Sequence, residues 1–313
     1  MNIRASSQTY GELRPAPADR AFEPRDYGLY ALTVVAWSAS WFAIAMQVGT
    51  VANEVSLVWR FTIATMLMFA WLVVSGGRLR LALGDHLRAA ALGVLIFSTN
   101  FLCFYYGAQY LVSGLLSVVF SLASVINLGL AALIMRERPG GGVLLGGLLG
   151  FAGITLMFLP EIGGDGFSNR TLTGLGFCLA GTISFCFGSL ISASCYRRGL
   201  PIVTTNAWGM LYGTLWSAFL ALILGKPFTI ELTAAYLGSL AFLAVVSTVM
   251  AFAAYLTLLN RIGAARAGYA TVIFPIFALL ISTGMEGYSW TVFALAGLAL
   301  VAIGNVLVIR GKR

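Results

Sequence analysis

Charged residues are scarce in this chain. They make up 10% of its 313 residues, whereas apolar residues make up 59%, and a typical soluble domain has about 25% charged residues. The single histidine, His86, lies beside Asp85 in a polar stretch, and a serine hydrolase needs a histidine within reach of its nucleophile. This composition excludes an ordinary soluble enzyme, and we expect no catalytic residues.

The common cofactor and metal motifs are also missing. The four cysteines, Cys103, Cys178, Cys186 and Cys195, form no CxxC pair, and we interpret them as small apolar side chains. The chain has no Gly-x4-Gly-Lys-Ser/Thr loop, which would bind a nucleotide phosphate. Its net charge of +8 comes from scattered residues rather than from a basic and aromatic patch. We therefore expect no metal, no cofactor, no ATP and no nucleic acid.

The chain is instead rich in long apolar segments. A helix of about 20 apolar residues crosses the ~30 Å hydrocarbon core of a bilayer. Ten segments are long enough: 27–48, 54–75, 88–108, 111–135, 141–160, 172–196, 203–224, 232–259, 267–285 and 290–309. Loops with glycine, proline or charge separate them. The sequence therefore predicts an all-α integral membrane protein with ten transmembrane helices, surrounded by membrane lipid.

Basic residues test this count, because they concentrate at the cytoplasmic ends of membrane helices. Apart from Arg60, Arg170 and Lys226, every Lys and Arg lies in the N-terminal tail, in alternate loops or at the C-terminal end. The first 26 residues lack the apolar core of a signal peptide. We therefore expect a multi-pass protein of the cytoplasmic (inner) membrane with both termini in the cytoplasm.

The two halves of the chain repeat each other at an offset of about 150 residues. The matching pairs are Ser98-Thr99 with Ser247-Thr248, Tyr106 with Tyr255, Trp59 with Trp208, Gly146 with Gly297 and Gly153 with Gly304. Five helices is an odd number, so the second repeat crosses the membrane in the opposite direction, as is typical of carriers. The expected organisation is a tail at 1–26, a first repeat at 27–160, an outer loop at 161–171, a second repeat at 172–309 and a basic tail at 310–313.

These residues resemble the drug/metabolite transporter (DMT) superfamily, specifically the ten-helix carriers built from two EamA-type repeats. The matching motifs are Ala36-Trp37-Ser38-Ala39-Ser40-Trp41, Trp59-Arg60-Phe61, Tyr106–Gly114, Arg136-Glu137-Arg138, the glycines of segment 5, Pro275, Glu286 and Gly297–Gly304. Among these carriers, the chain is most similar to exporters of aromatic and other neutral amino acids. The resemblance covers the ten segments and implies alternating access between two repeats. Ser124 is a departure, because the family usually has a proline there that matches Pro275.

Acidic residues are missing from the middle of the predicted helices. All eleven lie in tails, loops or helix ends, whereas a proton-coupled carrier is expected to keep a carboxylate within the membrane. Arg60 is the one basic residue within a span, and a phosphate carrier would need several. We therefore expect a nearly uncharged cavity for amino acids or similar zwitterionic solutes, without strict proton coupling. A sugar-phosphate or nucleotide-sugar exchanger and a passive pore are the alternatives.

Eight residues are candidate substrate contacts: Trp37, Trp41, Arg60, Thr99, Tyr106, Ser121, Thr248 and Tyr255. The threonines and tyrosines form one stripe on segment 3 and another on segment 8, and each stripe either lines the cavity or packs against a neighbouring helix. Ser121 lies on a polar stripe of segment 4. We expect the protein to be a monomer or a weak dimer.

Two of the candidates have specific alternatives. Arg60 lies six residues after Glu54, about 9 Å along a helix. It either snorkels to the outer surface or holds a substrate carboxylate or a gate. Trp41 lies too deep for the inner interfacial belt, so it belongs either to the outer belt or to the cavity.

Overall fold

The computed structural model describes residues 22–135, 141–162, 169–262, 266–267 and 269–310. Within these residues the chain forms α1 (Pro24–Ala45), α2 (Asn53–Val74), α3 (Leu83–Leu92, Gly93–Asn100 and Phe101–Gly107), α4 (Ser113–Ser121 and Ala123–Met135), α5 (Gly141–Ile162), α6 (Asn169–Arg197), α7 (Ile202–Ile223), α8 (Ala234–Ala241, Phe242–Met250 and Ala251–Ile262), α9 (Ala270–Glu286) and α10 (Val292–Arg310). The predicted all-α fold with ten helices is confirmed. The Arg136-Glu137-Arg138 motif, most of the 161–171 loop and nearly all of both tails lie outside the described residues.

The outer surface of the bundle suits a bilayer. Within the described part of the chain, five helices are long and apolar enough to cross one: α1, α2, α3 over Leu83–Gly107, α6, and α8 over Ala234–Leu258. Shorter apolar stretches are Ser113–Asn127, Leu144–Leu159, Ala270–Glu286 and Val292–Val308. Large apolar side chains such as Met66, Leu148 and Leu222 point outwards and are mostly exposed. So large an apolar surface requires lipid around it.

The two ends of the bundle are distinguished by the helices that end there. We call the end where α1 begins and α10 ends the terminal face, and the opposite end the distal face.

Glycines in α5 and α10 join the two repeats between these faces. A Cβ atom on Gly146 would lie 2.6 Å from the carbonyl oxygen of Gly304, and one on Gly153 would lie 2.5 Å from that of Gly297. Gly146 corresponds to Gly297, and Gly153 corresponds to Gly304. Each contact therefore maps onto the other when the repeats are exchanged, as inverted repeats require.

The remaining helices pair in the same exchanged fashion. Helix α1 packs against α8 and α9, and its counterpart α6 packs against α3 and α4. Helix α2 packs against α7 and α8, and α7 in turn packs against α3. Helices α1, α3, α4, α6, α8 and α9 therefore meet in the middle of the bundle, where carriers of this architecture bind their cargo.

Helices α3 and α8 contain π-helical segments at matching positions, Gly93–Asn100 and Phe242–Met250. Each segment contains a Ser-Thr pair that repeats between the halves. The Thr248 hydroxyl donates to the carbonyl oxygen of Leu243 at 2.7 Å, five residues earlier, which is the spacing of a π turn. Such segments are rare and often occur at functional sites. Because they occur in both repeats, these segments of α3 and α8 are candidates for the functional site.

Helix α4 is interrupted at Leu122, although Ser124 stands where the family usually has proline. The Ser121 hydroxyl donates to the carbonyl oxygen of Val118 at 2.6 Å. The Ser124 hydroxyl lies 3.1 Å from the carbonyl oxygen of Ser121. Serine side chains that bond to the preceding turn bend helices, so this pair accounts for a break without proline. In contrast, α9 continues through Pro275.

Candidate functional site

An aromatic cluster occupies the centre of the bundle. The Trp41 ring lies 4.9 Å from Phe104, 5.5 Å from Phe120 and 6.4 Å from Phe274, measured between centroids. Phe185 of α6 lies 4.8 Å from Phe120, so five helices contribute one ring each. Trp41 is only 7% exposed and lies within this cluster, not in an interfacial belt. The cluster offers flat apolar surfaces to an aromatic or aliphatic side chain.

A second aromatic pair lies beside the cluster, toward the terminal face. The rings of Trp37 and Tyr255 lie 5.0 Å apart, and both side chains are half-buried. Between the two tryptophans of α1, the Ser38 hydroxyl lies 3.0 Å from the carbonyl oxygen of Phe274. This contact ties α1 to α9. The predicted contacts Trp37, Trp41 and Tyr255 are therefore brought to one region of the bundle.

Arg60 is buried in the same region. Its side chain is 2% exposed, and Nη2 donates to Thr248 Oγ1 at 3.3 Å. The guanidinium carbon lies 4.3 Å from the ring centre of Phe101 and 5.1 Å from that of Phe61. The side chain therefore points into the protein and does not reach the outer surface, as snorkelling would require. Two predicted contacts, Arg60 and Thr248, touch each other directly.

Two polar residues extend this site. The Tyr105 hydroxyl donates to Gln47 Oε1 at 2.5 Å, and Tyr105 lies in the same buried cluster as Phe61, whose ring faces the Arg60 guanidinium. The side chains of Gln47, Tyr105 and Arg60 are almost completely buried. Among the described residues, Arg60 Nε, Arg60 Nη1 and Gln47 Nε2 have no hydrogen-bond acceptor. The site therefore holds buried donors that an added acceptor could satisfy.

The remaining predicted contacts differ in their surroundings. Tyr106 lies near the distal end of α3, where its hydroxyl donates to Glu54 Oε1 and its ring stacks 5.3 Å from Phe177. The Ser121 hydroxyl is buried and bonds within its own helix. Thr99 is half-buried in the π segment of α3. Tyr106 therefore does not share the environment of Tyr255, although the two occupy matching positions.

Carboxylates hold the distal face together. Glu54 is 1% exposed and accepts the Tyr106 hydroxyl, which links α2 to α3. Glu286, at the end of α9, accepts the Ser113 backbone N–H at 3.1 Å and the Ser113 hydroxyl at the start of α4. Both acids lie at helix ends, as expected. The burial of Glu54 could not be predicted from its position at the start of an apolar segment.

A charged cluster links α1 and α8 at the terminal face. Arg261 Nε bonds to the fully buried Asp26, and Nη2 bonds to Glu23 at 2.7 Å. These contacts, chiefly the hydrogen bond to Asp26, raise the pKa of the Arg261 guanidinium above its usual value. Arg261 lies beyond the apolar stretch of α8, which ends at Leu258. The charged cluster is therefore outside the membrane-spanning part of the helix.

Comparison with known proteins identifies the family. The description "EamA-like transporter family" matches residues 27–159 and again residues 172–310. The chain belongs to the EamA-like transporter family. An uncharacterized transporter of Archaeoglobus fulgidus is 28% identical over 286 residues, covering 90% of this chain and 98% of the relative. The uncharacterized inner membrane transporter YedA of Escherichia coli K12 is 26% identical over 289 residues, covering 91% and 90%.

The fold agrees with a solved structure as well. A protein crystal structure superposes on this EamA-type chain with a TM-score of 0.64 and 17% identity, covering 91% of this chain and 96% of the other. At that identity the likeness supports the fold alone. Family membership makes the protein a membrane transporter of the DMT type, and the resemblance inferred from its sequence motifs is confirmed.

Sequence reasoning missed Gln47, Tyr105 and the phenylalanines that surround Arg60 and Trp41. Gln47 lies at the end of the predicted segment 27–48, where a polar residue ordinarily faces solvent. Tyr105 lies outside the repeated stripe that contains its neighbour Tyr106. Phe101 and Phe120 are ordinary apolar residues in apolar helices. A weak signal existed for Gln47, because a polar side chain between two membrane helices often has a buried partner.

Proposed function

We propose that this transporter exports amino acids, aromatic and other neutral ones above all, from the cytoplasm. The observation that carries the proposal is the central site itself. There an aromatic cluster from five helices adjoins one buried cation and unpartnered amide and guanidinium donors. Such a site offers apolar surface to a side chain and donors to a polar head group. The terminal face would lie in the cytoplasm, in keeping with the basic residues.

The carrier would work by alternating access. In support, α9 packs against Ser113–Ser121 of α4, whereas Ala123–Met135 turns toward α5, α6 and α10. The Ser113–Glu286 contact joins α4 and α9 at the distal face. This arrangement suits a conformation that is closed at the distal face. In the opposite conformation this contact would break, and the matching pair of helix ends at the terminal face would approach.

Two alternatives fit the site less well. A sugar-phosphate exchanger would need several buried cations for its phosphate oxygens, and Arg60 is the one basic residue predicted within a span. A passive pore needs a continuous water-filled path. The distal half instead contains closely packed rings and the Glu54–Tyr106 and Ser113–Glu286 contacts.

The proposal is tested with purified protein in liposomes. Labelled phenylalanine outside liposomes should accumulate transiently when unlabelled phenylalanine is present inside, because a carrier exchanges its cargo. The rate should saturate with phenylalanine concentration, whereas flux through a pore would rise linearly and show no exchange. A panel of neutral amino acids should be included, and lack of exchange for every member would refute the proposal.

A further inference from the structure

We propose that Arg60 binds the carboxylate group of the transported molecule, with Thr248 and the rings of Phe61 and Phe101 holding the guanidinium in place. This inference rests on the proposed function and assigns the recognition of one substrate group to one residue. It requires a carboxylate, which amino acids and other organic acids share. Amines and amides that lack this group would be poor ligands.

The first argument is the missing counter-charge. Among the described residues, Arg60 forms no ion pair with a carboxylate, whereas Arg88 and Arg261 do. Glu54, six residues before Arg60, is engaged by the Tyr106 hydroxyl. A fully buried cation without an anion is strongly disfavoured. Two aromatic faces and one neutral hydroxyl offset only part of this cost, so the guanidinium is suited to an incoming anion.

The second argument is the set of open donors. Arg60 Nε and Nη1 have no acceptor among the described residues, and neither has Gln47 Nε2. The planar guanidinium presents its N–H groups in a fork that matches the two oxygens of a carboxylate. A donor set of this kind favours an acceptor-only group. A substrate ammonium group would be repelled by it.

The third argument comes from the second repeat, where Gly209 occupies the position that matches Arg60. There α7 packs directly on α3, and a Cβ atom on Gly93 would lie 2.2 Å from the Gly209 carbonyl oxygen. The repeated architecture therefore does not need a long side chain at this position. Arg60 in α2 therefore makes the two repeats chemically different at matching positions and places a positive charge on one side of the central site.

The fourth argument is position. Phe101, which carries the guanidinium on its ring face, precedes Phe104 of the aromatic cluster by three residues of α3, about 4.5 Å along a helix. An amino acid whose carboxylate contacts Arg60 can therefore direct its side chain along α3 toward Trp41 and Phe104. Both parts of the molecule would be recognised within one substrate length.

Binding measurements on the purified full-length protein test this assignment. The probes are phenylalanine, leucine and phenylacetate, which carry a carboxylate, and phenylalaninamide and phenethylamine, which do not. We expect the first three to raise the thermal unfolding temperature of the wild type, and the last two to bind about tenfold or more weakly, the loss expected for a charge-assisted hydrogen bond. Arg60→Gln should lose the preference for carboxylates, and Arg60→Lys should retain part of it.

Arg88→Gln is the matched control, because Arg88 is ion-paired with Asp85 at the surface. This variant should leave the preference for carboxylates unchanged. If Arg60→Gln does not fold, the comparison of phenylalanine with phenylalaninamide in the wild type still decides. Equal binding of acid and amide, no carboxylate binding, or full phenylalanine affinity in Arg60→Gln would overturn the inference. Carboxylate binding without any amino-acid exchange would refute the proposed function and leave the inference standing.

Discussion

The glycine contact between α5 and α10 gives a sharp prediction about stability. A Cβ atom on Gly146 would lie 2.6 Å from the Gly304 carbonyl oxygen and 2.8 Å from Val308 Cγ2. Non-bonded carbon and oxygen atoms do not approach so closely, so even alanine must push the two helices apart. Leucine adds three further carbons in the same direction. We therefore expect Gly146→Leu to destabilise the protein by about 3 kcal/mol, the upper part of the range for overpacked cores.

Gly142 supplies the control within the same helix. It lies one turn before Gly146, and a Cβ atom there would meet nothing within 4 Å. Gly142→Leu should therefore leave stability nearly unchanged or raise it slightly, since leucine is the better helix former. The assay is thermal unfolding of both variants in detergent, and the penalty at Gly146 corresponds to a fall of about 5 °C for a chain of this length. Equal unfolding temperatures for the two variants would refute the close helix contact.

Four further predictions concern the two faces and the energy source. Glu286→Gln should weaken the contact with the Ser113 backbone and hydroxyl and raise the leak of substrate from liposomes severalfold. The control is Glu231→Gln, in an exposed distal loop, which should not raise the leak. Identical leaks in the two variants would argue against a closed distal face. Asp26→Asn should leave Arg261 with Glu23 alone and lower stability more than Arg88→Gln does, as thermal unfolding would show. Because the pKa of Arg261 is raised, its contribution to stability is complete below the ordinary arginine pKa and is lost only as pH rises above that value. The unfolding temperature should therefore show no titration of Arg261 between about pH 6 and 10. A step in that window that Arg261→Gln removes would contradict the raised pKa. Finally, phenylalanine exchange should be the same with and without an imposed pH gradient, because the predicted spans contain no acid at their centres; obligatory proton coupling would point instead to the buried Glu54.

The helices themselves could be predicted closely from the sequence. Apolar length and the alternation of basic residues depend only on the local chain, so the predicted segment 54–75 and the observed Asn53–Val74 differ by one residue at each end. The glycine repeat predicted the relation between the halves, and the structure shows it as the contact between α5 and α10. Both features depend on the bilayer and on backbone approach, which leave clear patterns in composition.

The site could be predicted only in part, because contacts depend on how helices rotate against their neighbours. Tyr106 and Tyr255 occupy matching positions, yet one bonds to Glu54 and the other stacks on Trp37. The π segments add an extra residue to a turn, which shifts every later side chain around the helix and is invisible in a hydropathy pattern. Arg60 could be predicted as an intramembrane charge, but the direction of its side chain depends on Phe101 and Thr248, which belong to other helices.

The central claim is that the two repeats open and close around a shared site. The most direct measurement places spin labels at positions 109 and 289, where Gln109 and Ser289 are exposed at the distal face. Double electron–electron resonance then records the distance between the two labels in liposomes. Phenylalanine should shift the population between a short distance and a second distance longer by several ångströms, since rocking carriers open one face at a time. A single unchanged distance, under conditions in which the same labelled protein exchanges phenylalanine, would contradict the account.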